Sequence, residues 1–494
     1  MRSAPIAKTA TGSDPGTSRR RAIARRKPFT PVKAPAAFAP LAALAALLLS
    51  TACGGRGTTG PPRDLSGAAK GWNVVLVSVD TLRADRLGAY GYRPVSPAID
   101  RQLASGVTFD SAMAQRASTW PSLASLLTGL YPSAHGVVEN GYGFPNELPT
   151  LPKLLHGAGY QTGAFLSNMC QANHQAWDAF ACSGGKDGKS VRAALDWAGG
   201  TDAKRPFLLW VHLFGAHPPY YNGGDDAQRL DPGYDGPLAP KKWALEQVMT
   251  KPIALDQRDL RHLDAIYDAA VQGSDRSVAG LLEGLRAAGR LERTVIVFTA
   301  DHGEELYRHN RYLFHACSVY QTTLHVPLGF AASGLLAPGG RVAQPVELID
   351  VLPTILDLVG VARPVEQHGR SLLRYLARPS AGGPGKPAFS EYGTSRIHTA
   401  IQERWKLIDN PDSFQPVCIP DAPPNHYPIP EVQLFDLAAD PGESRNLAAT
   451  EPARVEALRA LIRQRFAGLK NRTKDQAVNK KLQEELKALG YVAH

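Results

Sequence analysis

The sequence predicts an α/β protein: a doubly wound, mostly parallel sheet flanked by helices, followed by a smaller C-terminal antiparallel sheet plus helix. Three observations lead there. Short apolar runs rich in Val, Ile, Leu and Phe recur between residues 72 and 330, as strands buried on both faces require. Segments with apolar residues three and four apart lie between them, the alternation of an α/β fold. Two of the runs end in acids, WNVVLVSVD at Asp80 and VIVFTAD at Asp301, and ligands collect at the carboxyl ends of parallel strands.

In chain order, WNVVLVSVD (72–80) reads as the first buried strand and SPAIDRQLASG (96–106) as a helix behind Pro97. SLASLLTG (122–129) is helical and ends on Gly129; Thr119 stands just before it, as a helix cap or as a reactive hydroxyl. LPKLLHGAG (151–159) continues the helices, and QTGAFLSN (161–168) and PFLLWVHLF (206–214) the strands. The long pattern at 266–292 is amphipathic, and RTVIVFTADHGEE (293–305) and VPLGF (326–330) add two further strands. After SAGGPGKP (380–387) the texture changes. The runs at 389–410 and 431–440 read as a small antiparallel sheet, 452–469 as an amphipathic helix and 480–494 as a charged outer helix.

The formal charge of +10 suggests a nucleic-acid partner until it is located. Nine Lys and Arg against a single Asp14 put most of it in residues 1–33, so no basic binding surface is implied and no nucleic acid is expected. The apolar run AAFAPLAALAALLLSTACGG follows; it is short, is interrupted by Pro40, and ends in small residues and Cys53. It resembles a bacterial lipoprotein signal, with Cys53 the lipidated residue. A signal retained as an anchor would export the body equally. The expected organisation is therefore a signal segment (1–53), a Gly- and Pro-rich flexible tether (54–71), a catalytic domain (72–380) and a C-terminal subdomain (381–494). The product is exported and lipid-anchored to a bacterial cell-envelope membrane. Of the four remaining cysteines, Cys170 and Cys182 are close enough in sequence to close a small loop, and Cys317 and Cys418 allow other pairings, so connectivity stays open.

Asp80, Asp301 and His302 at neighbouring strand ends form a plausible divalent-cation site, since a mixed oxygen and nitrogen set suits Zn²⁺ or Mn²⁺ and a carboxylate-rich one Ca²⁺. One site is expected, and a second is compatible with the sequence. In WVHLFGAHPPY, His212 lies within the apolar run and reads as a satisfied core histidine, whereas His217 stands in a loop where it can reach a ligand. His309 and His315 follow the second acid in another loop.

NVVLVSVDTLRADRLGAYGY, PSLASLLTGLYPSAHGV, TVIVFTADHGEEL and LFDLAADPGESRNL together resemble the sulfatase family of the alkaline phosphatase superfamily, from about Asn73 to Leu447. That resemblance implies metal ligation by Asp80, Asp301 and His302, with Thr119 completing the sphere and acting as nucleophile. It implies that His217 contacts the transferred group or the leaving oxygen, and that His315 falls near a lysine of many sulfatases. Two departures stand out. Sulfatases typically carry Cys or Ser, any residue, Pro, any residue, Arg, and oxidise the first to formylglycine; here the register reads Thr119, Trp120, Pro121, Ser122, Leu123. Thr81 also replaces the second acid of the usual Asp-Asp pair.

The expected function is an exported, metal-dependent hydrolase of a sulfate or phosphate ester on a small molecule, glycan or lipid, with the membrane reached through the N-terminal lipid. Two other readings fit the same residues. One is a phosphoethanolamine-type transferase that passes the group from Thr119 to a cell-envelope sugar or lipid. The other is a non-catalytic, metal-holding binding lipoprotein. Turnover by the parent chain separates the last from the first two.

Overall fold

The computed structural model describes residues 64–473, apart from 144, 171–175, 221–224, 240–253, 310–312, 384, 394–395 and 417–427. Cys53, residues 54–63 of the tether and the helix read at 480–494 lie outside the described residues.

Strands β1 (Asn73–Val79), β2 (Val107–Met113), β3 (Gln161–Leu166), β4 (Ala179–Cys182), β5 (Phe207–Leu213), β6 (Thr294–Ala300), β7 (His325–Ala332), β8 (Gly340–Val342) and β9 (Val346–Glu347) form one sheet. Its order is β4-β3-β5-β1-β6-β7-β2-β8, with β9 also on β2. β4, β3, β5, β1 and β6 run parallel. β7 is antiparallel to both β6 and β2, so VPLGF turns the far half into a mixed sheet. The central strands are buried along their whole length, which is why they read as unbroken apolar runs. β2 and β4 escape a sequence reading for the opposite reason: VTFDSAM mixes polar with apolar residues and AFAC is only four long.

Helices α1 (Pro97–Ala104), α2 (Thr119–Thr128), α3 (Leu151–Gly157), α4 (Asp187–Gly200), α5 (Gln257–Ala287) and α6 (Val351–Val359) flank this sheet. α5 starts at Gln257 rather than 266, because a capping box opens it: the Asp256 side chain accepts from the Arg258 and Asp259 amides, and Asp259 accepts from the Asp256 amide. α2 is buried on every side, as its apolar sequence requires. Its N-cap is Ser118, so Thr119 is the first helical residue and not the cap.

The second sheet is β10 (Ala388–Tyr392), β11 (Ile397–Gln402), β12 (Trp405–Asp409) and β13 (Val432–Asp436), antiparallel in that order. Val455, Leu458 and Ile462 of α7 (Pro452–Phe466) pack with Phe389, Leu407 and Leu434 of that sheet. The boundary near residue 380 separates two sheets but not two bodies, since the described residues on both sides of it fall in one compact unit. Part of the expected tether is corrected. Residues 64–71 are docked: Leu65 and Ala69 are buried, and the Gly67 and Ala69 amides donate to the Asp357 and Leu358 carbonyls (2.7 and 2.8 Å) in the last turn of α6. Among the described residues no helix is long and apolar enough to cross a membrane.

Candidate active site

β1 and β6 are in register, Val79 opposite Ala300, so the residues that follow them, Asp80 and Asp301, emerge side by side at one sheet edge. His302 comes with Asp301. All three are fully buried, and one ligand atom from each lies within 4.8 Å of the others, the one such group among the described residues. His302 Nε2 is 3.7 Å from Asp80 Oδ1 and 3.5 Å from Asp301 Oδ2. Neither of those oxygens has a hydrogen-bond partner among the described residues, whereas the second oxygen of each acid is held. Asp301 Oδ1 accepts from the Thr81 and His302 amides (3.2 and 2.8 Å), and Asp80 Oδ2 accepts from Asn168 Nδ2. His302 Nδ1 pairs with the Gly303 carbonyl at 2.8 Å, which puts the proton there and the lone pair on Nε2.

Two carboxylate oxygens without a partner among the described residues therefore converge with an imidazole nitrogen. Burial, and next to it the neighbouring Asp301, pushes the Asp80 carboxyl well above the usual range. Two adjacent buried carboxylates are costly without a counter-charge, and a divalent cation supplies one, so the donor set fits such an ion.

Thr119 is brought to the same place. Its hydroxyl lies 3.3 Å from His302 Nε2 at the N-terminus of α2, and Ser122 Oγ ties the helix to the Asp301 carbonyl at 2.6 Å. The Trp120 amide donates to Asn140 Oδ1 at 2.8 Å, which holds the first turn. Leu123, at the family's arginine position, is buried in the core. Thr81 takes a left-handed backbone (φ 56°), clamped by Tyr267, whose hydroxyl donates to the Thr81 carbonyl (2.7 Å) and accepts from the Arg83 amide (3.0 Å). In that conformation the Thr81 amide can face Asp301. Gly303 is required next: a Cβ there would collide with the Thr322 carbonyl.

The histidines divide. The His315 ring centre is 4.4 Å from that of His302 and 5.3 Å from that of His217, so both expected histidines border the cluster. His217 Nδ1 donates to the Pro218 carbonyl at 2.6 Å, and burial pulls this imidazole down to about 3. His315 Nδ1 meets Glu304 Oε2 at 3.2 Å; burial first, then His302 and His217, hold it well below its ordinary value. His309 is structural: it bonds Glu305 and the Gly442 carbonyl and stacks on Tyr320. His212 departs from the expected satisfied core residue. Nδ1 meets Ser78 Oγ at 2.8 Å, but buried Nε2 has no partner among the described residues.

Asn168 and Glu304 were not singled out from the sequence. Asn168 had a signal, a polar residue ending a strand at the same sheet edge as Asp80; Glu304 had only its place in DHGEE.

Residues 72–361 match the family model described as Sulfatase. The chain belongs to the sulfatase family. It is accordingly a sulfuric or phosphoric ester hydrolase, in a metal-dependent family. Arylsulfatase K of Mus musculus is 26% identical over 444 residues, covering 77% of this chain and 76% of that protein. The multifunctional alkaline phosphatase superfamily protein PehA of Trinickia caryophylli is 26% identical over 487 residues, covering 77% and 92%. Among solved structures, BT4656 in complex with its substrate D-glucosamine-2-N,6-O-disulfate superposes with a TM-score of 0.65 at 20% identity, covering 83% of this chain and 100% of that one. The shared fold accounts for the mixed nine-stranded sheet with a smaller four-stranded one.

Proposed function

We propose that this sulfatase-family chain is an exported, metal-dependent hydrolase whose nucleophile is the plain hydroxyl of Thr119, acting on a sulfate or phosphate ester, with phosphorus the easier centre. One observation supports it most: the buried, unpaired ligand atoms of Asp80 and Asp301 converge with His302 Nε2, and Thr119 Oγ1 lies 3.3 Å from that nitrogen. Asp80, Asp301, His302 and Thr119 would hold the divalent cation, Zn²⁺, Mn²⁺ or Ca²⁺, which when bound lowers the pKa of a hydroxyl and screens the charge of an incoming anion.

The remaining work falls to the chain. The Thr119 oxygen forms a bond to sulfur or phosphorus as the bond to the leaving alcohol oxygen breaks. The positive end of the α2 dipole lies toward the anion, a contribution of about 0.3–1 kcal/mol in exposed settings. His217 and His315, which burial keeps neutral, offer the base that takes the Thr119 proton as this bond forms and then returns it to the leaving oxygen. Water then attacks the threonine ester, releasing sulfate or phosphate and restoring the hydroxyl. A formylglycine hydrate can expel sulfate by collapse of a hemiacetal, whereas threonine cannot, and this favours phosphorus.

Export and lipidation rest on the basic, apolar and small-residue sequence that ends at Cys53. The decisive experiment is metal analysis of the parent chain with a panel of aryl sulfates, phosphate monoesters and phosphate diesters. Thr119→Ala should lower kcat by about 10³-fold or more. A Thr119→Ala protein as active as its parent sinks the mechanism, and a parent that holds metal but turns over nothing favours a binding role. Transfer of Cys53→Ser from the membrane to the soluble fraction tests the anchor.

A further inference from the structure

Asp80 presents one oxygen to the cluster because its other oxygen is occupied by Asn168. Asn168 belongs to a different part of the sheet. It lies two residues beyond β3, and β5 stands between β3 and β1 in the strand order. To reach Asp80 the chain leaving β3 must cross the end of β5, a step of two strand spacings, or roughly 9–10 Å.

Backbone contacts hold the near side of this turn: the Ser183 amide donates to the Leu166 carbonyl at 2.9 Å and the Gly185 amide to the Ser167 carbonyl. The Ser167 amide donates to the His212 carbonyl at 2.8 Å, and the chain then turns at Met169, which has a left-handed φ of 55°. Such a conformation is unfavourable for a non-glycine residue and persists where its surroundings over-determine it. Cys170 follows at once and is bonded to Cys182, the last residue of β4, with a Cα–Cα separation of 5.2 Å. β4 is a four-residue edge strand, in register with β3 at Leu166 opposite Cys182, and the Cys182 sulfur lies 3.6 Å from the Asn168 carbonyl oxygen. The disulfide thus closes on both sides of the turn that carries Asn168.

We propose that the Cys170–Cys182 disulfide supports the cation site: it fixes the turn that holds Asn168 against Asp80, so cation affinity depends on a bond whose two cysteines lie outside the ligand group. The inference rests on the reading of Asp80, Asp301 and His302 as that group. Asn168 is a positioning residue; it selects which oxygen of Asp80 faces the cation and limits the rotation of the carboxylate. A chain without the disulfide keeps its fold and its three ligands but binds the ion less tightly.

The test uses the full chain, stripped with a chelator and titrated with Mn²⁺, and in parallel with Ca²⁺ and Zn²⁺, against a competing chelating dye. Asn168→Ala and the double variant Cys170→Ser/Cys182→Ser should each weaken binding about 10- to 100-fold, the range for groups that orient metal ligands. The triple variant should bind no more weakly than the weaker of the two, because both changes act through one contact. Leu458→Ala, a buried change on α7, lowers stability far from the site and should leave affinity unchanged. If the double variant does not fold, reduction with dithiothreitol gives the comparison when it is carried out on a Cys317→Ser chain, because Cys317 is disulfide-bonded too. Unchanged affinity in the disulfide-free chain or in Asn168→Ala overturns the inference, as does an equal loss in Leu458→Ala. A parent that takes up none of the three ions fails differently, by removing the cation site itself.

Discussion

Replacing Asp80 by Asn should stabilise the metal-free protein and weaken the metal-loaded one. Asp80 and Asp301 are fully buried, with ligand oxygens no more than 4.8 Å apart. Two unit charges at that distance repel by about 3–4 kcal/mol at an effective dielectric of 20. Asparagine is nearly isosteric and removes this term. The pH dependence follows from the raised Asp80 pKa, which burial and then Asp301 cause. A carboxyl whose folded value exceeds its unfolded value contributes its full stability below the unfolded pKa and loses it as pH rises through the folded one. The advantage of Asp80→Asn therefore grows with pH. With cation present the order reverses, because the parent gains about 2.7 kcal/mol at a hundred times its Kd and the variant has lost a charged ligand. Calorimetric scans at several pH values, with chelator and with saturating Mn²⁺, read both effects; in a body of this size each kcal/mol moves Tm by about 1 °C. A variant less stable than its parent in chelator at high pH, or one that Mn²⁺ stabilises as much as the parent, refutes the reasoning.

Leu123→Arg would restore the family's usual arginine in sequence, yet it puts a charge into a fully buried position of the core. Loss of several kcal/mol is expected, seen as a lower urea midpoint, with no gain of sulfatase activity. His135 is fully buried: its Nδ1 accepts from the Val137 amide and its Nε2 meets Ser125, and burial pulls it from 6.5 to about 3. The unfolded chain takes up this proton first as pH falls, so stability drops between about 6.5 and about 3, by about 1.4 kcal/mol per pH unit. His135→Gln should flatten that slope in urea midpoints measured at pH 7 and 4.5; an unchanged slope would remove His135 as its source.

Much of the site was legible in the chain because its chemistry sits at strand ends. VVLVSVD and VIVFTADH announce buried strands, and a buried parallel strand that ends in an acid can point it only at the sheet edge. Asp80, Asp301 and His302 could therefore be grouped before any distance was known. The family blocks brought Thr119, His217 and His315 to the same place. Thr119 on its own remained ambiguous, since a hydroxyl before a helix is more often a cap; the structure assigns that position to Ser118.

Residues that act across the sheet were not legible. Asn168 and Asp80 are 88 positions apart and meet because strand order carries one over the end of β5. Glu304 was visible as a letter, but its bond to His315 exists only through the fold of the loop between them. His212 seemed an ordinary core residue because periodicity reports burial and says nothing of whether both ring nitrogens are paired.

By itself the sequence determined the fold class through its apolar period and the family through its motif blocks, and it grouped Asp80, Asp301 and His302 as candidate ligands because strand-end acids are local properties of the chain. Only the tertiary structure decided which oxygen of each acid faces inward, that residues 64–71 are docked on the end of α6, and that Cys170 pairs with Cys182 beside Asn168. Those depend on contacts between distant segments, whose partners no local pattern names.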